Sequence, residues 1–349
     1  ASVALDKVAR AGDSMTGLLT LSGNAVSDLH AVPKQQLDDG LAAVLQPATQ
    51  KWVFISDTQP YSQTMRTSVR SIITNIRTNH ADAFAVLHLG DIAHRANNPG
   101  EWNGTGWPTS TAWWDEEPIL YDTLLEDFRD LPVPRSRVFY IAGNHDINYG
   151  AQATPDELTY TNYLKWFDRQ FYHVICGNLV FALLSPMTRS TAGHISDYAV
   201  DWWKRLVEHH QDKVIITGLH QPLADTTDRS EYEQGQQVGS SRFTDVTTNA
   251  TSRVDLFVTG HTGLDMSNPA TVDHGDFFDS HHVACDMNTS VDTDTGAPIG
   301  TNDPSYVVAY FENGSRTVRF ERWDVDSNTI SKTWTISVRN PVELASVPQ

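Results

Sequence analysis

Five short apolar runs in this chain each end on a residue of a type that ligates cations, and no other feature restricts the fold as much. Trp52-Val-Phe-Ile-Ser56 leads into Asp57, and Phe84-Ala-Val-Leu-His-Leu89 leads into Gly90-Asp91. Arg137-Val-Phe-Tyr-Ile-Ala142 leads into Gly143-Asn144-His145-Asp146, Lys213-Val-Ile-Ile-Thr-Gly-Leu219 into His220, and Val254-Asp-Leu-Phe-Val-Thr-Gly260 into His261. Unbroken apolar runs of this length fit strands buried on both faces, as in parallel sheets covered by helices. Between the first two, Met65, Val69, Ile72, Ile73 and Ile76 recur at helical spacing, which predicts an amphipathic helix over 62–79. Strand, helix and strand then bring Asp57 and Asp91 to one edge of a parallel sheet. The expectation is an α/β fold in which Asp57, Asp91, Asn144, His220 and His261 gather at a single sheet edge.

Oxygen and imidazole donors without a thiolate suit Mn, Fe, Zn, Mg or Ca rather than copper or an iron–sulfur cluster. The amide oxygen of Asn144 is a neutral hard donor, while His145 beside it can carry a proton. No serine sits in a nucleophile elbow and no glycine-rich phosphate loop precedes a helix, so serine-hydrolase and nucleotide-loop chemistry are set aside.

Composition narrows the partners. With 349 residues, 40% hydrophobic and 19% charged, the chain can bury a sizeable core as one large domain with appendages. Its 25 basic and 43 acidic residues give a net charge of −18, which repels nucleic-acid backbones and anionic membrane surfaces. No stretch approaches the ~20 apolar residues of a membrane span, and residues 1–23 lack a signal-peptide pattern. Neither nucleic acid, membrane insertion nor secretion by a signal peptide is expected. Cys176 and Cys285 have no metal-ligand spacing and read as buried thiols.

Elsewhere, helices are expected over 119–128, over 160–171 and after Ser196, the last with Tyr198, Trp202, Leu206 and Val207 on its apolar side. Residues 171–176 and 179–184 read as a hairpin turning at Gly177-Asn178. Residues 306–312, 317–324 and 332–338 read as an antiparallel meander that closes a second sheet. The breaker-rich stretch 95–118 carries Trp102, Trp107, Trp113 and Trp114, which either stack on sugar rings or pack their loop onto the body.

The first 46 residues are small and polar and cannot build a core alone. Gly12-Asp-Ser-Met-Thr-Gly-Leu-Leu-Thr-Leu21, followed by Leu29-His-Ala-Val-Pro-Lys-Gln35, resembles the short repeat of bacteriophage tail fibres, although Gln36-Leu37 stands where an aromatic-Val pair is common. The resemblance implies a segment 1–46 for attachment and oligomerisation, commonly as a trimer, with other phage tail proteins as partners. It also implies a virion component made in the host cytoplasm and acting at the host surface. The alternative is an ordinary N-terminal arm with a helix over 33–45.

Taken in order, Asp57-Thr-Gln59, Gly90-Asp91, Gly143-Asn-His-Asp146, His220 and Gly260-His-Thr-Gly263 resemble the calcineurin-like metallophosphoesterase superfamily. That resemblance implies a four-layer α/β/β/α sandwich of two mixed sheets over 47–349. It implies two metals about 3.5 to 4 Å apart that clamp a phosphate ester for in-line displacement. Asp91 would bridge both ions, and Asn144, His220 and His261 would complete one site. The second site keeps Asp57 but has Gln59 and Gly263 where the family places histidines. His94, three residues after Asp91, stands where the related purple acid phosphatases place a metal-binding tyrosine, so Asp57, Asp91, His94 and the Gln59 amide could build a rearranged site. His145 corresponds to the family's phosphate-binding or leaving-group histidine and Asp146 to the carboxylate that orients it. Expelling an alkoxide from a diester needs a proton or a cation at that oxygen, and a carboxylate-paired imidazole can supply the proton. The expected activity is therefore a metal-dependent phosphodiesterase acting on a phosphate-containing host-surface polymer such as teichoic acid or phosphorylated capsule. The alternative is a receptor-binding tail module that keeps the scaffold without turnover.

Overall fold

The computed structural model describes residues 48–58, 63–92, 121–144, 146, 169–186, 194–224, 241–243, 253–261, 272–273, 281–284 and 304–345. All lie in one compact unit, Ala48–Ala345. Segment 1–46, the tryptophan stretch, the bulk of the expected 160–171 helix and Cys285 lie outside the described residues. In chain order the elements are β1 (Thr49–Ile55), α1 (Gln63–Asn79), β2 (Ala85–His88), α2 (Tyr121–Asp127), β3 (Val138–Tyr140), β4 (Phe171–Cys176), β5 (Leu179–Leu184), α3 (Asp197–His209), β6 (Val214–Gly218), β7 (Leu256–Thr259), β8 (Val272–Asp273), β9 (His281–Ala284), β10 (Ser305–Glu312), β11 (Thr317–Asp324) and β12 (Thr329–Ser337).

They form two six-stranded mixed sheets, ordered β12-β11-β10-β1-β2-β3 and β4-β5-β6-β7-β9-β8. The period of two along β1 explains the layering. Trp52 and Phe54 enter the core between the sheets, where Trp52 stacks on Phe181 at 3.9 Å and on Phe139 at 5.9 Å between ring centroids. Val53 and Ile55 point the other way, onto Val69, Ile72, Ile73 and Ile76 of α1. The second sheet does the same with α3, whose Val200, Trp203 and Val207 cover Val180, Ile215 and Phe257. Each fully buried side chain of this size contributes about 1.5 to 3 kcal/mol. The result is a four-layer α/β/β/α sandwich.

β1 and β2 pair in parallel, as the strand–helix–strand reading requires, and β4 and β5 form the hairpin at Gly177-Asn178. Two expectations are corrected. The C-terminal meander does not close a second sheet: β10 pairs antiparallel with β1 over Thr49–Phe54, so the meander completes the first. The buried face of α3 is also shifted by one residue in its first half, although Leu206 and Val207 are buried as expected. Ala199, Val200, Trp203, Leu206 and Val207 are buried, whereas Tyr198 is 69% exposed. Both series repeat at helical spacing, but only Trp203 finds a partner for its indole N–H, donated to Thr217 Oγ1 at 2.9 Å. Tyr198 and Trp202 lean on Phe171 at the rim instead. Among the described residues no helix is long and apolar enough to cross a membrane.

Candidate metal centre

The expected ligands come from two sheets rather than one edge. Asp57 and Asp91 follow β1 and β2, Asn144 follows β3 by a short link, and His220 and His261 follow β6 and β7. The two sheets of the sandwich therefore bring their strand ends together. Asp91, His220 and His261 place ligand atoms within 4.8 Å of one another. His220 Nε2 lies 3.3 Å from Asp91 Oδ2 and 3.0 Å from Asn144 Oδ1. All but His261 are buried, and the His261 and His220 rings meet edge to face at 5.0 Å.

The donor set fits a cation. Nδ1 of His220 donates to the Leu89 carbonyl at 2.8 Å, since that oxygen can only accept. Its Nε2 then faces an amide oxygen and a carboxylate, neither of which carries a hydrogen. Lone pairs gathered this way are stable only around a positive charge, either a proton on Nε2 or a bound cation. Burial alone would lower the His220 pKa, but the Asp91 and Asp57 carboxylates outweigh it and hold it up at about 10. With a cation in the pocket, the same geometry presents a neutral imidazole nitrogen, two kinds of oxygen and His261.

Asp57 sits beside this group, and its Oδ2 accepts from the Ser56 hydroxyl and, at 2.9 Å, from the His261 N–H. It thereby ties the end of β1 to the end of β7 across the two sheets. Asp57, Asp91 and His261 adopt left-handed backbone angles, with φ of 55°, 54° and 74°. Such angles in non-glycine residues are worth about 1 to 3 kcal/mol of strain each and concentrate where function over-determines the backbone. Gly260 makes the close approach feasible, because a Cβ there would collide with Ser56 Oγ and Asp57 Oδ2.

Gln59, His94, His145 and Gly263 lie outside the described residues. Asp146 is fully buried, and its carboxylate accepts the N–H of Ile92 at 3.0 and 3.1 Å and of Gly143 at 2.7 Å. These contacts go to the backbone beside Asp91 and Asn144. Several supporting residues escaped the sequence reading: Ser56, Thr58, His88, the Leu89 carbonyl and Gln221, whose amide donates to Asn144 Oδ1 at 3.2 Å. One signal was available, since a histidine inside the apolar run Phe84–Leu89 must find a partner once buried.

Comparison with known proteins agrees with this geometry. The fold resembles the purple acid phosphatase PPD1 from yellow lupin (Lupinus luteus) seeds, with a TM-score of 0.52 and 13% identity over 87% of this chain. The chain spans 57% of the lupin protein's length. It also resembles GAP50, the anchor in the inner membrane complex of Plasmodium, with a TM-score of 0.51 and 13% identity over 84% of this chain and 90% of that one. At such identity the likeness concerns the fold alone. No curated protein matches the sequence. The sequence model described as Calcineurin-like phosphoesterase matches residues 25–264, more than half of the chain. Two sheets with ligands at their converging ends and a family match across that same stretch agree, and the chain belongs to the calcineurin-like phosphoesterase family, whose members bind divalent metals.

Proposed function

We propose that this chain is a phosphodiesterase of a phage tail, hydrolysing a phosphate-containing polymer on the host surface such as teichoic acid or phosphorylated capsule. The observation that carries the hydrolytic part is His220, locked through Nδ1 so that Nε2 meets Asp91 and Asn144 where only a positive charge is tolerated. A divalent cation held by Asp91, Asn144, His220 and His261 would neutralise charge on the phosphoryl oxygens. The chain's own part is orientation and proton handling. Gln221 and the Leu89 carbonyl fix the ligand side chains, and His145 is assigned delivery of the proton to the departing alkoxide. Asp57, with His94 and Gln59, is assigned a second, rearranged site. The tail assignment is supported by the repeat-like motif over 12–35, which is also the basis for a homotrimer joined to other tail proteins.

A second reading has its own observation: Gln59 and Gly263 replace two imidazoles, so a receptor-binding module without turnover is the competing outcome. Hydrolysis of bis-p-nitrophenyl phosphate by the full chain with added Mn(II) decides. Turnover that EDTA abolishes and His145→Ala reduces supports the enzyme. Binding to host envelopes without turnover supports the adhesin.

A further inference from the structure

Behind the ligands runs a continuous buried hydrogen-bond chain that no ligand role explains. The Thr58 hydroxyl has one hydrogen, which it donates to the Ile92 carbonyl at 3.0 Å. The 2.9 Å contact between Thr58 Oγ1 and His88 Nε2 must therefore be donated by His88, which fixes the histidine as the Nε2–H tautomer. Ile92 passes the chain on through its N–H to both oxygens of Asp146, and Asp146 accepts in turn from the Gly143 N–H. Thr58, His88, Ile92 and Asp146 are each fully buried.

The positions along this chain matter more than its length. Thr58 follows Asp57, Ile92 follows Asp91, and Gly143 precedes Asn144, so each link grips the backbone next to a ligand on a different strand end. Asp57 and Asp91 are held in left-handed angles that their own preferences oppose, so something must fix the loops from behind. His88 is anchored for the task, its ring set between Phe128 at 5.5 Å and Tyr140 at 6.2 Å.

We propose that Thr58, His88 and Asp146 are positioning residues, a frame that spaces the three ligand loops of the first sheet and so sets how tightly the centre holds its cation. The proposal rests on reading the Asp91–Asn144–His220–His261 pocket as a cation site. Removing a group that hydrogen-bonds a ligand directly lowers metal affinity about 10- to 100-fold, and these residues, one step further out and bonded to the backbone beside the ligands, should act at the lower end of that range. Thr58→Val keeps the shape and deletes the hydroxyl, Thr58→Ser restores it, and His88→Gln keeps an N–H where His88→Leu does not.

The test is titration of the full chain with Mn(II), followed by the electron paramagnetic resonance of free and bound ion, beside thermal melting in EDTA. Thr58→Val and His88→Leu should weaken Mn(II) binding about tenfold or more and broaden the bound-ion signal, while Thr58→Ser and His88→Gln recover most of the affinity. Unchanged Mn(II) affinity in Thr58→Val and His88→Leu overturns the proposal and leaves the cation site standing. Loss of the chelated fold in both also overturns it, making the frame a folding element only. Failure of the unsubstituted chain to bind Mn(II) overturns the cation-site reading itself, and the proposal with it.

Discussion

At the scale of single residues, the centre is assembled as much by what is missing as by what ligates. A methyl on Gly143 would lie inside the contact radii of the Asp91 carboxylate and of the Asp91 backbone amide, the second of which cannot swing aside. Gly143→Ala should therefore displace Asp91, lowering Mn(II) affinity about tenfold or more and stability by roughly 1 to 3 kcal/mol. Mn(II) titration and urea unfolding of the same preparation measure both, and wild-type affinity would show the loop to be more compliant than its geometry. Asp57, Asp91, Asn144, His220 and His261 stood out in the sequence as candidate ligands by their donor types, and the structure brings ligand atoms of Asp91, His220 and His261 within 4.8 Å of one another. Thr58, His88 and Ser56 did not stand out, because a hydroxyl or a strand histidine is ordinary until a fold brings a particular carbonyl within 3 Å of it.

At the scale of elements, the apolar runs were readable as strands, since burial on both faces leaves an uninterrupted signature. α3 was readable as a helix but not in its rotation. Tyr198 and Trp202 compete with Ala199 and Trp203 for the inward face, and volume favours the wrong pair, whereas Leu206 and Val207 are buried as expected. Capping decides the start, with Ser196 accepting the Ala199 N–H at 3.1 Å, and the Thr217 hydroxyl on β6 decides the rotation by receiving Trp203. Trp203→Ala should cost about 3 to 5 kcal/mol of unfolding free energy. Tyr198→Ser should stay within about 0.5 kcal/mol of wild type. Urea midpoints with unchanged slopes would check the pair, and a larger loss from Tyr198→Ser would reverse the assignment of faces.

At the scale of the whole molecule, acid should loosen the sandwich through histidines it buries in neutral form. Burial, aided by Lys51 and opposed by Glu321 and Asp82, lowers the His80 pKa to about 4, and burial beside His220 lowers His88 to about 3. An unfolded chain takes up these protons near the ordinary value of 6.5, whereas the folded chain refuses them until the lowered values are reached. The contribution of these histidines to stability is thus constant above pH 6.5 and falls progressively from 6.5 towards 4. His80→Phe keeps the edge contacts to Tyr306 and Trp323 and removes the titration. Between pH 7 and 5 it should lose less stability than wild type by on the order of 1 kcal/mol in urea unfolding, and an equal loss would place the acid sensitivity elsewhere. The sheet order itself was beyond the sequence, because nothing in the β10 run names β1 as its neighbour across more than two hundred intervening residues. That pairing carries a consequence for shortened chains. The strand that presents Asp57 keeps one flank open until β10, more than two hundred residues further along the chain, is available to pair with it. A chain cut between residues 262 and 304 would therefore carry Asp57, Asp91, Asn144, His220 and His261 but lack the strand that closes the flank of β1.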